Sequence, residues 1–215
     1  MIALTNDQNA HTGVRPKTRR QEEKERRYRD LLRAAGHLFG AAGYAAVTLD
    51  DIGTAVGVSG QAIYRHFKGK QDLLGRILLE ISAQLLTDGE RIRAEHLLVE
   101  ERVESLVRFH VDFALQSPQI IRIQEQEMPQ LLDADRRSVR RMQRQYIEIW
   151  RQAVAELHPE ATPVELRTRV HGVFGLINST ARSVSRSDSR ARDAEEAAAS
   201  APTLRAMAHA AIYAQ

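Results

Sequence analysis

The stretch Thr48 to Lys70, TLDDIGTAVGVSGQAIYRHFKGK, constrains this chain most tightly. Thr48 can cap a helix, and Asp51 stands three residues on as a capping-box partner. Leu49, Ile52, Ala55 and Val56 then share one helical face. Gly57 is the natural left-handed stop. Ser59 can cap a second helix in which Ala62, Ile63 and Phe67 turn inward and Gln61, Tyr64, Arg65 and His66 face out. Helix, tight glycine turn and short helix make a helix-turn-helix, the unit whose second helix enters the major groove of DNA.

The anchors continue on either side. Ala34-Ala35, Leu38-Phe39, Gly43-Tyr44 and Val47 precede the turn; Lys70 and Asp72-Leu73-Leu74 follow it. With Val56-Gly57-Val58-Ser59 and Ile63-Tyr64-Arg65-His66-Phe67, they make residues 24 to 80 resemble the DNA-binding domain of the TetR/AcrR family of transcriptional regulators. Gly60-Gln61 opens the second helix where that family varies widely, so the resemblance implies no target sequence. Gly36 and Gly40 fall inside the first helix, each costing roughly 1 kcal/mol relative to Ala if that helix is regular.

Charge is uneven along the chain. Residues 1 to 70 hold 12 Lys+Arg against 7 Asp+Glu, and the remaining residues hold 19 against 21. A basic first third is what phosphate contact requires. There are no cysteines, which excludes a disulfide framework and thiolate chemistry and fits a reducing, cytoplasmic setting. No apolar run is long enough to span a membrane, and the first residues lack the apolar core of a signal peptide.

Helical periodicity dominates, so the expected fold is all-α: a three-helix helix-turn-helix domain followed by a helical ligand-binding and dimerisation domain. The expected divisions are a disordered basic arm (1–22), a DNA-binding domain (23–70) and a second domain (71–215). In the arm, Arg15, Lys17, Arg19 and Arg20 can follow phosphates, or they can belong to a solvated tail. The first helix is expected over 24–42, and a long one over 70–93 joins the two domains. Helices follow over about 99–116, 120–128, 133–157, 163–185 and 202–213. Residues 186–200 read as a charged loop or frayed helix.

The resemblance implies that Thr48, Tyr64, His66 and Lys70 hold phosphates, and each side chain can donate a hydrogen bond. Gln61 can pair with adenine, and Arg65 with guanine or a phosphate. Ser59, Gly60 and Ala62 complete the expected DNA-contact set. The alternative for Tyr64 and His66 is that they complete the small core. The resemblance also implies a homodimer built on 163–185 and 202–213, where Gly172, Gly175, Ala181, Ala208 and Ala211 would allow close approach. It further implies an effector cavity between residues 99 and 180. Candidate lining residues are Phe109, His110, Phe113, Arg122, Met128, Tyr146, Trp150, Phe174 and Asn178. Each taken alone is more often a core residue than a ligand contact. Arg122, if inward, requires Glu125, Glu127 or an anionic ligand such as an acyl-CoA.

Enzyme motifs are absent: neither a phosphate-cradling GxxxxGK[ST] nor a GxSxG occurs, and His96 with Glu100 lacks a third metal ligand. No cofactor is expected. The sequence therefore reads as a homodimeric regulator, of the repressor type, that binds a near-palindromic double-stranded operator. A small hydrophobic or acyl-type effector would release it. The alternatives are a DNA-binding regulator governed by abundance or a protein partner, and a helical enzyme or carrier that retains the head.

Overall fold

A computed structural model describes residues 18–179 and 190–214. Among these every regular element is helical: α1 (Arg19–Ala42), α2 (Leu49–Ala55), α3 (Gly60–Ile63), α4 (Lys70–Glu95), α5 (Val99–Gln116), α6 (Pro118–Gln126), α7 (Asp133–Leu157), α8 (Pro163–Ser179) and α9 (Arg190–Tyr213). A 3-10 turn, Met128–Gln130, separates α6 from α7. Residues 1–17 of the expected arm lie outside the described residues. Residues 18–22 do not extend it: Thr18 caps α1 with Gln21 in a capping box, which carries Arg19 and Arg20 on the first turn. Ala181 and 186–189 also lie outside the described residues, whereas 190–200 are helical and continue into α9.

Two packed cores organise the helices. The first gathers Leu31, Ala35 and Phe39 of α1, Ile52 of α2, Ile63 of α3, Phe67, and Leu73 to Leu78 of α4. Burying each of its larger side chains contributes about 1.5–3 kcal/mol. Ile123, Leu131 and Val139 join this same core, so packing is continuous across residue 70. The second core lies among α4, α5, α7, α8 and α9, around Leu106, Val111, Trp150, Val173 and Ile212. Helix α4 contributes to both and packs most extensively on α7.

The glycines inside α1 answer to packing. Helix α1 crosses α6 so closely that a Cβ on Gly40 would lie 2.5 Å from Gln119 Cβ and 2.7 Å from its Cα and carbonyl oxygen. Arg122 donates from Nη1 to the Gly40 carbonyl at 3.4 Å, closing the same crossing. Gly43, with φ of 85°, then ends α1, and its N–H donates to the Phe39 carbonyl.

Gly40→Ala gains helix propensity of about 1 kcal/mol but drives a methyl into α6 backbone, an overpacking cost of typically 1–3 kcal/mol. We expect a net loss of stability, read as a lower urea midpoint at unchanged slope. A gain would place this crossing farther apart than 2.5 Å.

Candidate DNA-contact face and effector cavity

The helix-turn-helix forms through local hydrogen bonds. Thr48 Oγ1 accepts from Asp51 N–H at 3.1 Å, while the Asp51 carboxylate accepts from Thr48 N–H at 2.8 Å and from its hydroxyl at 2.7 Å. These bonds hold the Asp51 carboxyl below its ordinary value. Gly57, with φ of 72°, makes the turn. Ser59 Oγ then accepts from Ala62 N–H at 3.3 Å. The second helix is shorter than expected. After Ile63 it tightens into turns through His66 N–H to Ile63 carbonyl and Arg65 N–H to Ala62 carbonyl.

The expected contact set divides by exposure. Thr48, Ser59, Gln61, Tyr64 and Arg65 are exposed; Ala62, His66 and Lys70 are half-buried. Tyr64, a large aromatic, is 60% exposed, so it does not close the core. Helix α1 adds exposed Arg20, Lys24 and Arg26 to the same end of the chain. His66 lies near Tyr28 and Phe67. Burial, then Lys24, Arg27 and Arg65, lower its pKa, so its ring is neutral at pH 7.

Three residues of that set have other work. The Thr48 hydroxyl proton is committed to Asp51. Gly60 is buried against α2, and any Cβ there would collide with the Asp50 carboxylate. Lys70 sends its ammonium to the carbonyls of Tyr44 (2.7 Å), Val47 (2.8 Å) and Ala45 (3.4 Å) and lies over the Tyr44 ring. All three donors are therefore occupied, and Lys70 acts as a clasp on the α1–α2 loop rather than a free phosphate donor.

The expected effector residues are only partly brought together. His110, Phe113, Tyr146, Trp150 and Phe174 converge, with ring centroids 4.6 to 6.4 Å apart. They fill the interior: Trp150 is 1% exposed, Tyr146 3% and His110 3%. His110 donates from Nε2 to Asn178 Oδ1 at 3.2 Å, which leaves Nδ1 to accept from Tyr146 Oη at 3.4 Å. Burial pushes His110 down to about 4. Phe109 packs against the edge of this core. Arg122 and Met128 lie elsewhere: Arg122 reaches Gly40, and Met128 packs on the first core, because α6 turns its residues toward α1.

A large cleft meets the expected span, residues 99–180, only along 112–120. This cleft, of about 1320 Å³, opens between α1, the end of α2, α4, the α5–α6 junction and α9. None of the nine expected ligand residues lines it. Its apolar walls include Leu32, Leu38, Ile81, Leu115 and Ile120. Its charged lining is Asp30, Arg33, Glu80, Asp112 and Arg205. Asp112 and Arg205 form an ion pair at 2.6 Å. Sequence reasoning missed this site. The available signal was one charge set into an otherwise apolar helical stripe, Asp112 in HVDFAL and Arg205 in LRAMA.

A tightly capped helix-turn-helix, with an exposed polar edge and a separate helical core behind it, defines a DNA-binding transcription regulator. Residues 31–77 match the bacterial regulatory proteins of the tetR family, and residues 96–182 match the tetracyclin repressor-like C-terminal domain. The chain belongs to the TetR family of transcriptional regulators. A TetR-family regulator from Bordetella parapertussis 12822 has the same fold, with a TM-score of 0.70 at 20% identity over 84% of this chain and 94% of that one. FadR from Bacillus subtilis, solved in complex with stearoyl-CoA, gives a TM-score of 0.61 at 18% identity over 84% and 97%. The nucleoid occlusion factor SlmA of Marinomonas sp. (strain MWYL1) is 31% identical over 101 residues, which are 47% of this chain and 51% of that protein. The chain thus spans about half the length of the curated relatives it matches.

Gln61→Ala removes an exposed amide without touching the core. We expect altered preference among operator variants with a smaller change in bulk affinity, read by fluorescence anisotropy. Unchanged discrimination would remove Gln61 from base readout. His110 supplies a second expectation. Its folded pKa is depressed to about 4 from 6.5, so the unfolded chain binds the extra proton first. Stability therefore falls as pH drops from about 6.5 to 4, by roughly 3 kcal/mol in full. In His110→Gln this part of the slope should vanish from denaturation curves, whatever its baseline stability.

Proposed function

We propose that the chain is a homodimeric, effector-responsive repressor that binds a near-palindromic operator. Residues 23–70 act as the head, and 71–215 as the ligand-binding and dimerisation body. The observation that carries DNA readout is the exposed edge Ser59, Gln61, Tyr64 and Arg65 along α3, its cap and the turn after it, fixed from behind by buried Ile63 and Phe67. One such edge spans few base pairs, so two are needed, meeting successive major grooves about 34–36 Å apart.

The faces of α8 and α9 support pairing. Gly172 and Gly175 of α8 look into open space. Ala206, Met207, Ala210 and Tyr213 of α9 are exposed, with Met207 at 51% and Tyr213 at 42%. Gly172 and Gly175 are among the small residues expected from the pattern, but the exposed residues of α9 are not. Ala208 is fully buried in its own subunit, and Ala211 packs against the same core. A pairing surface of glycines and Met207 permits close helix approach.

The effector acts through the cleft, since the aromatic interior is filled. Its occupant touches α1 and α5–α6 together, and so biases the angle at which α1 crosses α6. That FadR was solved with stearoyl-CoA supports ligand response on this fold. The solid aromatic core favours a second reading, a regulator with no small-molecule ligand.

Selection from a random duplex library, followed by footprinting, tests the proposal. A near-palindrome with half-sites one helical turn apart is expected, and retention without sequence preference would overturn it. Gly175→Arg should convert the dimer to a monomer in sedimentation at micromolar concentration and abolish tight binding to the selected palindrome. A wild-type monomer under those conditions would remove the dimer.

A further inference from the structure

The charge on the cleft walls is unbalanced in a way that selects its occupant. Three carboxylates, Asp30, Glu80 and Asp112, share the cleft with two guanidinium groups, Arg33 and Arg205, and the imidazole of His37. Both cations are already engaged: Arg33 Nη1 lies 3.4 Å from Asp30 and Arg205 Nη2 lies 2.6 Å from Asp112. Glu80 forms no ion pair among the described residues. It accepts only the Tyr28 hydroxyl, at 2.7 Å. Glu80 is thus the carboxylate at the cleft, exposed to solvent, that no cation among the described residues pairs.

Helix α9 adds a second acceptor. Pro202 lies inside it and has no N–H, so the Ala198 carbonyl one turn earlier loses its intrahelical donor. Both Ala198 and Pro202 line the cleft. A carbonyl freed in this way accepts hydrogen bonds and presents partial negative charge. Between these acceptors the walls are apolar, with Leu38, Ile81 and Ile120 among them. The volume, about 1320 Å³, exceeds that of an ordinary drug-sized site.

We propose that the cleft binds an organic cation: a protonated amine on an extended apolar body, its ammonium held by Glu80 and its N–H groups directed at the α9 wall. This deepens the effector-responsive reading above and rests on it for its regulatory meaning. An acyl-type anion fits worse, because its carboxylate would approach Glu80 with only paired arginines to offset the repulsion. An ammonium in a partly desolvated apolar cleft requires a carboxylate partner, and Glu80 is the one without a cation.

A matched pair of probes separates charge from hydrophobicity: decylammonium and decanoate, each below its micelle-forming concentration, titrated calorimetrically into the full chain. Decylammonium should bind at least tenfold more tightly than decanoate. Glu80→Gln, which keeps an acceptor for Tyr28, should weaken decylammonium at least tenfold. Glu80→Lys should reverse the preference toward decanoate. Phe174→Ala, in the aromatic interior, should change neither affinity by more than about twofold. Equal affinities, tighter decanoate, an unaltered Glu80→Gln variant or no binding of either probe would each overturn the proposal. Operator binding is then measured with the same probes. Decylammonium that binds in this pattern without changing operator affinity leaves the cation site standing and removes the effector reading. Operator release by another compound, with decylammonium unbound, does the opposite.

Discussion

The structure depends on one close crossing, that of α1 over α6 at Gly40 and Gln119. Helix α1 is a long helix of the first core, and α6 belongs to the chain behind the head. Their backbones meet where no side chain fits, and Arg122 adds a hydrogen bond from α6 to the Gly40 carbonyl. Interiors at this packing density have low compressibility. A displacement at the α5–α6 junction would therefore pass to α1 rather than be absorbed locally. Arg27 would then carry it further, since its Nη1 donates to the Val56 carbonyl at the end of α2, 3.0 Å away.

This explains why the sequence was legible in some places and opaque in others. The helix-turn-helix was readable because each of its signals is local. Thr48 and Asp51 cap one another three residues apart, Gly57 carries its own positive φ, and Ser59 reaches Ala62. The span of α7, Asp133–Leu157, was equally plain, bounded by a polar start and by His158-Pro159. Gly36 and Gly40 were read as a cost to α1 because their reason lies about 80 residues away, in Ile120 and Gln119. Lys70 likewise has its partners far away in sequence. Its position suggests phosphate contact, but its ammonium is spent on three carbonyls of a loop more than 20 residues earlier.

The aromatic residues show a further limit. Helical periodicity placed His110, Tyr146, Trp150 and Phe174 on inward faces correctly. Periodicity cannot say whether inward faces meet or leave space between them. Here they meet, and His110 satisfies both ring nitrogens with Asn178 and Tyr146. A buried, neutral, fully bonded histidine specifies one packing arrangement, since any rotation of α8 strands a polar group. The cluster therefore reads as the rigid centre against which the rest of the body is aligned.

A rigid centre and an open cleft serve one another. The cleft lies between elements of both cores, α1 and α2 on one side and α5, α6 and α9 on the other. If the aromatic interior were loose, an occupant there would be accommodated by side-chain rearrangement, and little would reach α1. With that interior filled, the space open to an occupant lies at the junction between the cores. A ligand lodged in the cleft can bind one setting of that junction better than another, which is the condition for any shift in population. The Asp112–Arg205 pair between α5 and α9 marks the body wall of this junction, and the Tyr28–Glu80 bond between α1 and α4 marks its head wall. Polar contacts that are exposed or only partly buried contribute little to stability, typically up to about 1 kcal/mol each. They are therefore cheap to exchange for contacts with an occupant, whereas the α1–α6 crossing and the aromatic centre are not.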